Sequence, residues 1–589
     1  MQRQRKVESI CTLLAGLISL VIFSSTLWGQ CSANLPGAQP DSSQIHQLLD
    51  QKNWAEVVRL AGPLASRSAN LNFEYGLALA HLQQWPEARA ALMAGERECP
   101  EQKRFAIELA GIAFELKRNP EAAAWLRRGL KLDPKDEYAN NFAGTVYLLM
   151  GNTNAALKYW NRVQKPYVAA LDFDPQLRVQ RLILDRAFAF SPAAVLKQRD
   201  FETTEARLNG LGIFSMYNIV LNARADGNPD GDFDAELHAQ ERNGFGSSRV
   251  QALVSTFSGA AYETIYPSYF NIGRSAANVE SLLRWDSQKR RARISVSAPL
   301  HDLPQWRWQL EVDARDENWA IRRSFTGTAP VLGSLNLQRQ AVTGSVTGSP
   351  NGRLQWSTGA EFSHRTYRKV VDGTALTPAL VVPGYELKHL ASIEDKVVDI
   401  PERRFSITAG ASSELARMWP TQAQVPGAPN VFGKLQGSVL AHWFPQAQGD
   451  MYEVAERVRT GRTFGSAPFD ELFMLGMERD TDLSLRGQLG TRDREKGSSP
   501  LGSNYFLSNT DFYRRIYGNG LFSIKAGPLA DIAKAGAPSS GLASGLATGQ
   551  WIFDVGVAAK LTVLGTSVVL TYGRDLRSGS NAFFGTIAK

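Results

Sequence analysis

The chain has 589 residues, a formal net charge of +8 at pH 7 and a mean hydropathy of −0.23. This length is too great for one ordinary domain, so several folded units are expected. The basic residues are scattered along the sequence, which favours a solvated surface over a nucleic-acid-binding patch. Beyond the N-terminus, no apolar run reaches the ~18 residues that a transmembrane helix requires. The composition therefore argues against nucleic-acid binding and against a bundle of membrane helices.

Residues 1–33 have the order of a secretory signal peptide. Arg3, Arg5 and Lys6 precede an apolar segment over residues 10–28, and small residues follow up to Ala33. A positive start, an apolar core and a small-residue end are the features of such a signal. We predict cleavage near Ala33, followed by a short linker over residues 34–43 that contains Pro, Gly and Ser. A retained membrane anchor is the alternative.

Residues 44–168 contain a repeat with a period of 34 residues. Three series recur at this spacing: Gly76, Ala110 and Gly144; Ala88, Ala122 and Ala156; and Pro100 and Pro134. Small residues let two antiparallel helices approach closely, and proline ends a helix before the next repeat begins. The period and the residue types resemble the tetratricopeptide repeat (TPR). This resemblance implies an all-α solenoid whose concave groove binds a partner, and a rigid spacer is the alternative.

Residues 177–243 show a mixed pattern of short helices and strands. We predict a strand at 182–184, a helical stretch that begins at Ser191, a second helix over 201–208, and two strands over 217–221 and 233–239. Apolar and polar residues alternate over the last of these, which is the period of a strand. The order strand, two helices, two strands resembles one polypeptide-transport-associated (POTRA) domain. That resemblance implies a small α+β fold whose sheet edge adds an extended client strand.

From residue 245 to residue 589 the pattern is that of short amphipathic strands. Trp551, Phe553, Val555 and Val557, for example, alternate with Ile552, Asp554, Gly556 and Ala558. Trp285, Trp319 and Trp443 stand near predicted strand ends, where the aromatic girdles of membrane barrels lie. We predict an antiparallel transmembrane β-barrel over residues 245–589. A soluble β-sandwich or propeller is the alternative.

The stretch from residue 468 to residue 531 contains Pro468-Phe469-Asp470-Glu471-Leu472, Leu483-Ser484-Leu485-Arg486-Gly487 and Asn504-Tyr505-Phe506-Leu507. In this order the segments resemble the C-terminal half of BamA/TamA-type outer-membrane assembly barrels (the bacterial surface antigen family). The resemblance implies sixteen strands and a long loop that folds back into the barrel lumen.

In that family the loop carries an Arg-Gly tip, which Arg486 and Gly487 match, and Asp511 and Asp531 correspond to acidic positions on the barrel wall. A guanidinium presents five donors in a planar fork, which suits a partly desolvated pair of carboxylates. Glycine permits a close backbone approach. The family has an aromatic residue after this glycine, whereas this chain has Gln488.

The sequence contains no recognisable catalytic, cofactor-binding or metal-binding motif. Its seven histidines are isolated and form no His-Glu-x-x-His pair for zinc. Neither a Gly-x-Ser-x-Gly nucleophile elbow nor a Gly-x-x-x-x-Gly-Lys-Ser/Thr phosphate loop is present. We therefore expect a protein that is not an enzyme and that binds no cofactor or metal.

Together the resemblances predict an outer-membrane barrel of a diderm bacterium, with its TPR and POTRA-like regions in the periplasm. Such a protein would assist the insertion or translocation of other polypeptides. Its expected partners are outer-membrane lipid, unfolded or extended polypeptide clients, and a periplasmic accessory protein in the TPR groove, but not nucleic acid. Two alternatives stay open, namely a solute pore and a barrel-anchored TPR scaffold.

Overall fold

The computed structural model describes residues 40–224, 232–322, 331–371, 376–422, 425–519, 522–536, 549–563 and 566–588. The predicted signal peptide over 1–33 and the first part of the predicted linker lie outside these residues. The chain divides into two compact units, one that ends at Ala139 and one that runs from Asn140 to Lys589.

The described part of the first unit consists of helices, and the same pattern continues into the second. The helices are α1 (Pro40–Asp50), α2 (Trp54–Ala61), α3 (Ala69–His81), α4 (Trp85–Glu98), α5 (Lys103–Glu115), α6 (Asn119–Leu132), α7 (Glu137–Leu149) and α8 (Thr153–Trp160). Helix α1 begins at Pro40, so residues 40–43 are helical and do not belong to a linker as predicted. Proline is accepted in a first helical turn because the N–H that it lacks would have no partner there.

The helices keep the 34-residue period of the sequence. The first helices of three successive pairs begin at Ala69, Lys103 and Glu137, and the second helices begin at Trp85, Asn119 and Thr153. Pro86 and Pro120 lie in the first turns of α4 and α6. Successive starts within each series are thus separated by one period of 34 residues.

The small residues of the repeat lie where paired helices meet. A Cβ atom on Gly76 would lie 2.7 Å from Leu92 Cγ, and one on Gly144 would lie 2.2 Å from Trp160 Cδ1. The four alanines of the repeat are buried, and the two prolines are exposed in the turns that follow α4 and α6: Ala88, Ala110, Ala122 and Ala156; Pro100 and Pro134. Side-chain volume therefore sets the distance between the helices of a pair.

A small α/β unit follows. Its strands are β1 (Tyr167–Phe173), β2 (Ala194–Val195), β3 (Phe214–Ala223) and β4 (Asp232–Glu241), with helices α9 (Arg181–Ala187) and α10 (Gln198–Leu211) between them. The sheet order is β2-β1-β4-β3, and β1 runs parallel to β4. Strand β3 therefore forms one edge of the sheet.

Three predictions for this region are wrong. Residues 182–184 belong to helix α9, the region after Ser191 contains strand β2 where a helix was predicted, and the first strand is β1. The α/β unit accordingly begins at Tyr167 and not at residue 177, and the preceding helices end before residue 168. Ile183, Leu184 and Ala187 are buried on one side of α9. In the sequence they form part of a short apolar run, and such a run is too short for its periodicity to distinguish a helix from a strand.

The rest of the chain forms a closed β-barrel. Its long strands are β7 (Ala277–Trp285), β8 (Lys289–Leu300), β9 (Leu303–Arg322), β10 (Val331–Gly348), β11 (Leu354–Val371), β12 (Gly384–Ile400), β13 (Phe405–Pro420), β14 (Val431–Trp443), β15 (Tyr452–Gly465), β20 (Asn504–Gly518), β21 (Phe522–Gly536), β22 (Trp551–Val563), β23 (Thr566–Asp575) and β24 (Asn581–Ala588). Consecutive long strands pair antiparallel, and β15 pairs with β20.

Shorter segments complete the barrel and its longest connection. They are β5 (Thr264–Ile265), β6 (Ser268–Ile272), β16 (Phe473–Met474), β17 (Thr491–Arg492), β18 (Glu495–Lys496) and β19 (Leu501–Gly502), and helix α11 (Arg249–Phe257) precedes β5. Within the described part of the chain, eighteen strand segments take part in the closed order, where the resemblance implied sixteen strands. Of the eighteen, β17 and β18 belong to a connection, and β5 and β6 are two pieces of one edge, so the described wall has fifteen strands.

Apolar side chains cover the outside of the barrel and charged side chains line its interior. On β22, for example, Trp551, Phe553, Val555 and Val557 are exposed, whereas Ile552 and Asp554 are buried. Other strands bury charged residues in the same way, among them Arg291, Asp313, Arg365, Glu386, Lys388 and Asp531. Among the described residues, no helix has both the length and the hydropathy that a membrane crossing requires.

The α/β unit contacts the short turns at one end of the barrel. Arg186 Nη1 donates to the carbonyl of His301 at 2.9 Å, and the backbone N–H of Gly352 donates to Thr203 Oγ1 at 3.2 Å. Lys158 of the preceding helix α8 also forms an ion pair with Glu402 at 2.9 Å. The connection between β15 and β20 leaves from the opposite end of these strands.

Close packing in the helical pairs predicts opposite effects for two glycines. Gly76→Ala places a methyl group against Leu92 and should lower the free energy of unfolding of the helices by about 1–3 kcal/mol. Gly111→Ala lies in α5 with nothing within 4 Å of the added carbon, and should raise it by up to about 1 kcal/mol. Thermal unfolding of the full chain in detergent, followed by circular dichroism at 222 nm, measures both. Equal shifts in the two variants would contradict the packing.

Candidate functional site

The connection from residue 466 to residue 503, between β15 and β20, folds into the barrel. We call it the lumenal loop. Its side chains contact charged residues of strands on several sides of the barrel, which is possible only from inside. Most of its residues after Pro468 are buried, so the loop fills part of the lumen and adds a protein core there.

Arg486 lies between two acidic residues of neighbouring strands. Its Nε donates to Asp531 Oδ1 at 2.9 Å, and its Nη2 donates to the same oxygen at 2.5 Å. Its Nη1 bonds to Asp511 on β20, and its backbone N–H donates to Asp531 Oδ2 at 2.8 Å. The structure therefore brings together Arg486, Asp511 and Asp531, three of the four residues that the resemblance singled out.

Gly487 allows the loop to approach the wall at the position next to Arg486. Its N–H donates to Asp554 Oδ2 at 2.5 Å, and a Cβ atom at this position would lie 2.5 Å from Asp554 Cγ. On the facing strand, a Cβ atom on Gly573 would lie 2.1 Å from the carbonyl oxygen of Arg486. Glycine is thus required on both sides of the contact. Gln488, where the family has an aromatic residue, is buried.

Asp554 and Asn509 complete this contact, and the sequence analysis did not select them. Asn509 Nδ2 donates to Asp531 Oδ1 at 2.7 Å and to the carbonyl of Ser484 at 2.8 Å. Asp554 occupies an inward position of β22, whose alternate residues are apolar and exposed, and Asn509 is buried on β20. The signal that would have found Asp554 is therefore a charge on the otherwise small and apolar face of an alternating strand.

A second contact joins Asp470 and Glu471, near the start of the loop, to four strands. Glu471 accepts hydrogen bonds from Lys388 Nζ at 2.7 Å and from Lys434 Nζ at 2.5 Å. Asp470 accepts from Arg365 Nη1 at 2.8 Å and from the Tyr367 hydroxyl at 2.6 Å. The Arg365 side chain is 0% exposed and also bonds to Glu386 at 2.6 Å. Strands β11, β12 and β14 contribute these partners, and Arg339 on β10 adds a further cation.

A third contact joins the loop to the opposite wall through Asp480. This carboxylate accepts from Arg284 Nη1 at 2.9 Å on β7, from Arg291 Nη1 at 2.6 Å on β8 and from Lys496 Nζ at 2.6 Å within the loop. Lys496 also bonds to Glu317 on β9 at 2.7 Å. The loop is thus attached to both halves of the barrel.

The charges around Asp480 and Glu471 determine the pKa of these two carboxyl groups. Burial alone would raise the pKa of Asp480, but Lys496, Arg284 and Arg291 outweigh it and hold this pKa well below its usual range. Burial likewise would raise the pKa of Glu471, and Lys388 outweighs it together with the neighbouring cations, so that this pKa is also well below its usual range. Both groups are therefore carboxylates at neutral pH.

Apolar contacts fill the space between the ionic ones. Phe469 packs edge-on against Trp319, with ring centroids 5.1 Å apart, in a cluster that includes Leu337 and Leu501. Trp319 was predicted to lie near the membrane surface, but it is buried inside the barrel. A second cluster contains Leu475, Leu483, Leu485, Leu507 and Ala533.

Arg479 of the loop contacts both ends of the barrel wall. Its Nη1 donates to the Tyr266 hydroxyl at 3.3 Å, between β5 and β6, and its Nη2 donates to the carbonyl of Gly585 at 3.2 Å on β24. Its guanidinium carbon lies 3.7 Å from the centroid of the Tyr262 ring, a favourable cation–π distance. Arg479 therefore bridges the junction at which the last strand meets the first.

Comparisons with known proteins give structural likeness but no family assignment. No family model and no curated protein matches this chain. BamA from Haemophilus ducreyi lacking POTRA domains 1–3 covers 72% of this chain and 84% of its own length, with 11% identity and a TM-score of 0.41. CdiB from Escherichia coli covers 72% of this chain and 75% of its own length, with 12% identity and a TM-score of 0.46.

The helical part has a likeness of its own. MamA from Desulfovibrio magneticus RS-1 covers 21% of this chain and 72% of its own length, with 14% identity and a TM-score of 0.20. Because the identities and TM-scores are low, we argue neither fold nor function from these likenesses.

Removal of the Arg486 side chain is expected to weaken the barrel. Arg486→Ala leaves Asp531 buried without its guanidinium, a change that costs about 3–5 kcal/mol for a buried ion pair. Arg494→Ala is a matched control, because Arg494 is an exposed arginine of the same loop and exposed pairs contribute at most about 1 kcal/mol. The temperature at which the folded band converts to the unfolded band in a detergent gel should fall for Arg486→Ala alone. An equal fall in both variants would contradict this role.

The close approach of Gly487 gives a second prediction. Gly487→Ala should displace the loop tip from Asp554 and lower the same conversion temperature, although it adds only one carbon. Gly344→Ala in β10 is the control, since nothing lies within 4 Å of the carbon added there. We expect no fall for Gly344→Ala, and a Gly487→Ala variant that behaves like the control would show that the contact is not tight.

Proposed function

We propose that this chain is an outer-membrane β-barrel of a diderm bacterium that assists the insertion or translocation of other polypeptides. The membrane location is supported by the distribution of side chains. A barrel with exposed apolar residues outside and charged residues inside suits a hydrocarbon surrounding, because its long strands satisfy their backbone hydrogen bonds by pairing within the wall. This role requires no catalytic residue and no cofactor.

The observation that carries the proposal is the uneven closure of the barrel. Strands β9 and β10 pair from Arg322 with Val331 to Trp306 with Gly348. In contrast, the neighbour of β24 in the closed order is β5, which has only two residues. The junction between β24 and β5 is therefore the place where the fewest hydrogen bonds must break to open the wall. An opening there would admit a polypeptide segment to the lipid or to the lumen.

The lumenal loop supports this reading over a solute pore. A pore for small solutes needs a continuous water-filled lumen, whereas the loop occupies the lumen and is held by ionic contacts to both halves of the barrel. Arg479 connects the same loop to both sides of the junction. A movement of the loop would therefore change the junction at the same time.

The α/β unit suits the reception of an extended segment. Strand β3 is an edge strand, and a cavity of about 480 Å³ lies beside Tyr217, Asn218 and Ile219 of this strand. Arg404 and residues 447–450 of the barrel turns form the other side of this cavity. An edge strand with space beside it accepts an additional strand through its backbone groups. This supports the POTRA-like role that the sequence resemblance implied.

The helical pairs are proposed to be tetratricopeptide repeats that bind a periplasmic accessory protein. The repeated helix starts and the buried small residues support this assignment. A scaffold function alone would leave the barrel passive. Deletion of residues 44–168 separates these roles, because an active barrel should keep part of its function without the repeats.

The test of the proposed function uses purified full-length protein in liposomes. Urea-denatured outer-membrane proteins from the same cells should fold faster into these liposomes than into empty ones. Arg479→Ala should change this rate at least several-fold, because it removes the bridge across the junction, whereas Asp493→Asn on the exposed part of the loop should not. Depletion of the protein in cells should also lower the amounts of other outer-membrane proteins. Ion conductance in planar bilayers without either effect would instead favour a solute pore.

A further inference from the structure

Helix α11 lies beside β5, the first strand segment of the barrel, at a place where another strand would be expected. The chain leaves the α/β unit at Gly244, which exchanges hydrogen bonds with Phe270 of β6 at 2.7 and 3.1 Å. Further on, the carbonyl of Thr256 in α11 accepts from the N–H of Tyr266 at 2.9 Å, and the carbonyl of Glu263 accepts from Trp285 at 3.0 Å. Helix α11 therefore runs along the edge formed by β5 and β6.

The position of α11 places it at the junction that closes the barrel. Strand β7 pairs with β5 and β6 on one side, so the backbone groups of Phe270 and Tyr266 that bond to Gly244 and Thr256 point to the other side. Helix α11 packs against β5 and also against β23. It thus lies next to both parts of the wall that meet at the junction.

The burial of α11 is the reverse of that expected for a helix in water. Val250, Leu253, Val254 and Phe257 share one face by their spacing, and all four are exposed, Leu253 by 60%. Gln251 is only 4% exposed, and its Oε1 accepts from the N–H of Ser247 at 3.2 Å. The polar residue is therefore turned towards the protein, and the apolar face is turned away from it.

The exposed face of α11 continues into the outer surface of the barrel. The neighbouring segments expose further large apolar side chains: Phe245, Tyr269, Ile272 and Leu283. These belong to the connections around α11 and to strands β6 and β7. One apolar surface thus extends from the strands across the junction.

We propose that α11 is a lipid-contacting helix that packs its apolar face on the acyl chains of the bilayer at the barrel junction. A helix satisfies its own backbone hydrogen bonds. It can therefore lie in hydrocarbon beside a short strand junction without pairing with a strand on either side. Acyl chains, and not a neighbouring strand, then cover this part of the barrel. The inference rests on the proposed outer-membrane location and adds a lipid contact that the barrel strands do not provide.

The experiment places a nitroxide at single sites of the full-length protein in phosphatidylcholine liposomes. The label is attached to p-acetylphenylalanine, which avoids the natural cysteines. Leu253 in α11 is the test site, Leu310 on the exposed face of β9 is the lipid reference, and Lys131 in α6 is the water reference. Collision rates of the label with oxygen and with a water-soluble nickel chelate are measured at each site by electron paramagnetic resonance.

We expect the oxygen-to-nickel ratio at Leu253 to match that at Leu310 and to exceed that at Lys131 several-fold. A ratio at Leu253 that equals the one at Lys131, together with a high ratio at Leu310, would overturn the role of α11. It would leave the proposed membrane barrel intact. Dipolar broadening between labels at Leu253, lost on dilution with unlabelled protein, would also overturn it, because a second copy would then cover the face. If Leu310 itself reads as water, the proposed membrane location fails.

Discussion

Paired charges inside the barrel are the constraint on which the rest of the structure depends. A charge removed from water is costly unless an opposite charge and further hydrogen bonds meet it. The barrel wall buries Arg284, Arg365 and Asp531, and the lumenal loop supplies their partners Asp480, Asp470 and Arg486. The loop and the wall are therefore each unfavourable without the other. This explains why a connection of this length is buried inside the barrel.

The same loop connects the interior to the junction of the wall. Arg479 is adjacent in sequence to Asp480, so the residue that bridges Tyr266 and Gly585 lies next to a residue that three cations hold in place. Outside, α11 lies beside the same junction. In this arrangement the weakest part of the hydrogen-bonded wall has hydrogen bonds from a guanidinium on its inner side and an apolar helix against its strands. Opening of the junction for a polypeptide would thus involve both the loop and the lipid.

The helical pairs and the α/β unit follow simpler rules. Backbone distances in the pairs are set by glycine and alanine at a regular period, so local sequence is sufficient to place them. The α/β unit depends more on distant partners, because β1 pairs with β4, which comes some sixty residues later in the chain. A strand that is stabilised by so distant a neighbour carries little local signal, and this explains why β1 was not predicted and a short buried helix was mistaken for a strand.

The sequence by itself determined the 34-residue spacing of the helices and the alternation that makes β22 apolar outside and polar inside. The family resemblance, and not the residues alone, pointed to Arg486, Gly487, Asp511 and Asp531. These features are local or follow from a short motif. Only the tertiary structure decided that Trp319 lies inside the barrel, that Asp554 receives Gly487, that Arg479 bridges the junction, and that α11 replaces a strand there. Such contacts join residues far apart in the chain, and the chemistry of a side chain does not by itself determine which distant residue it will contact.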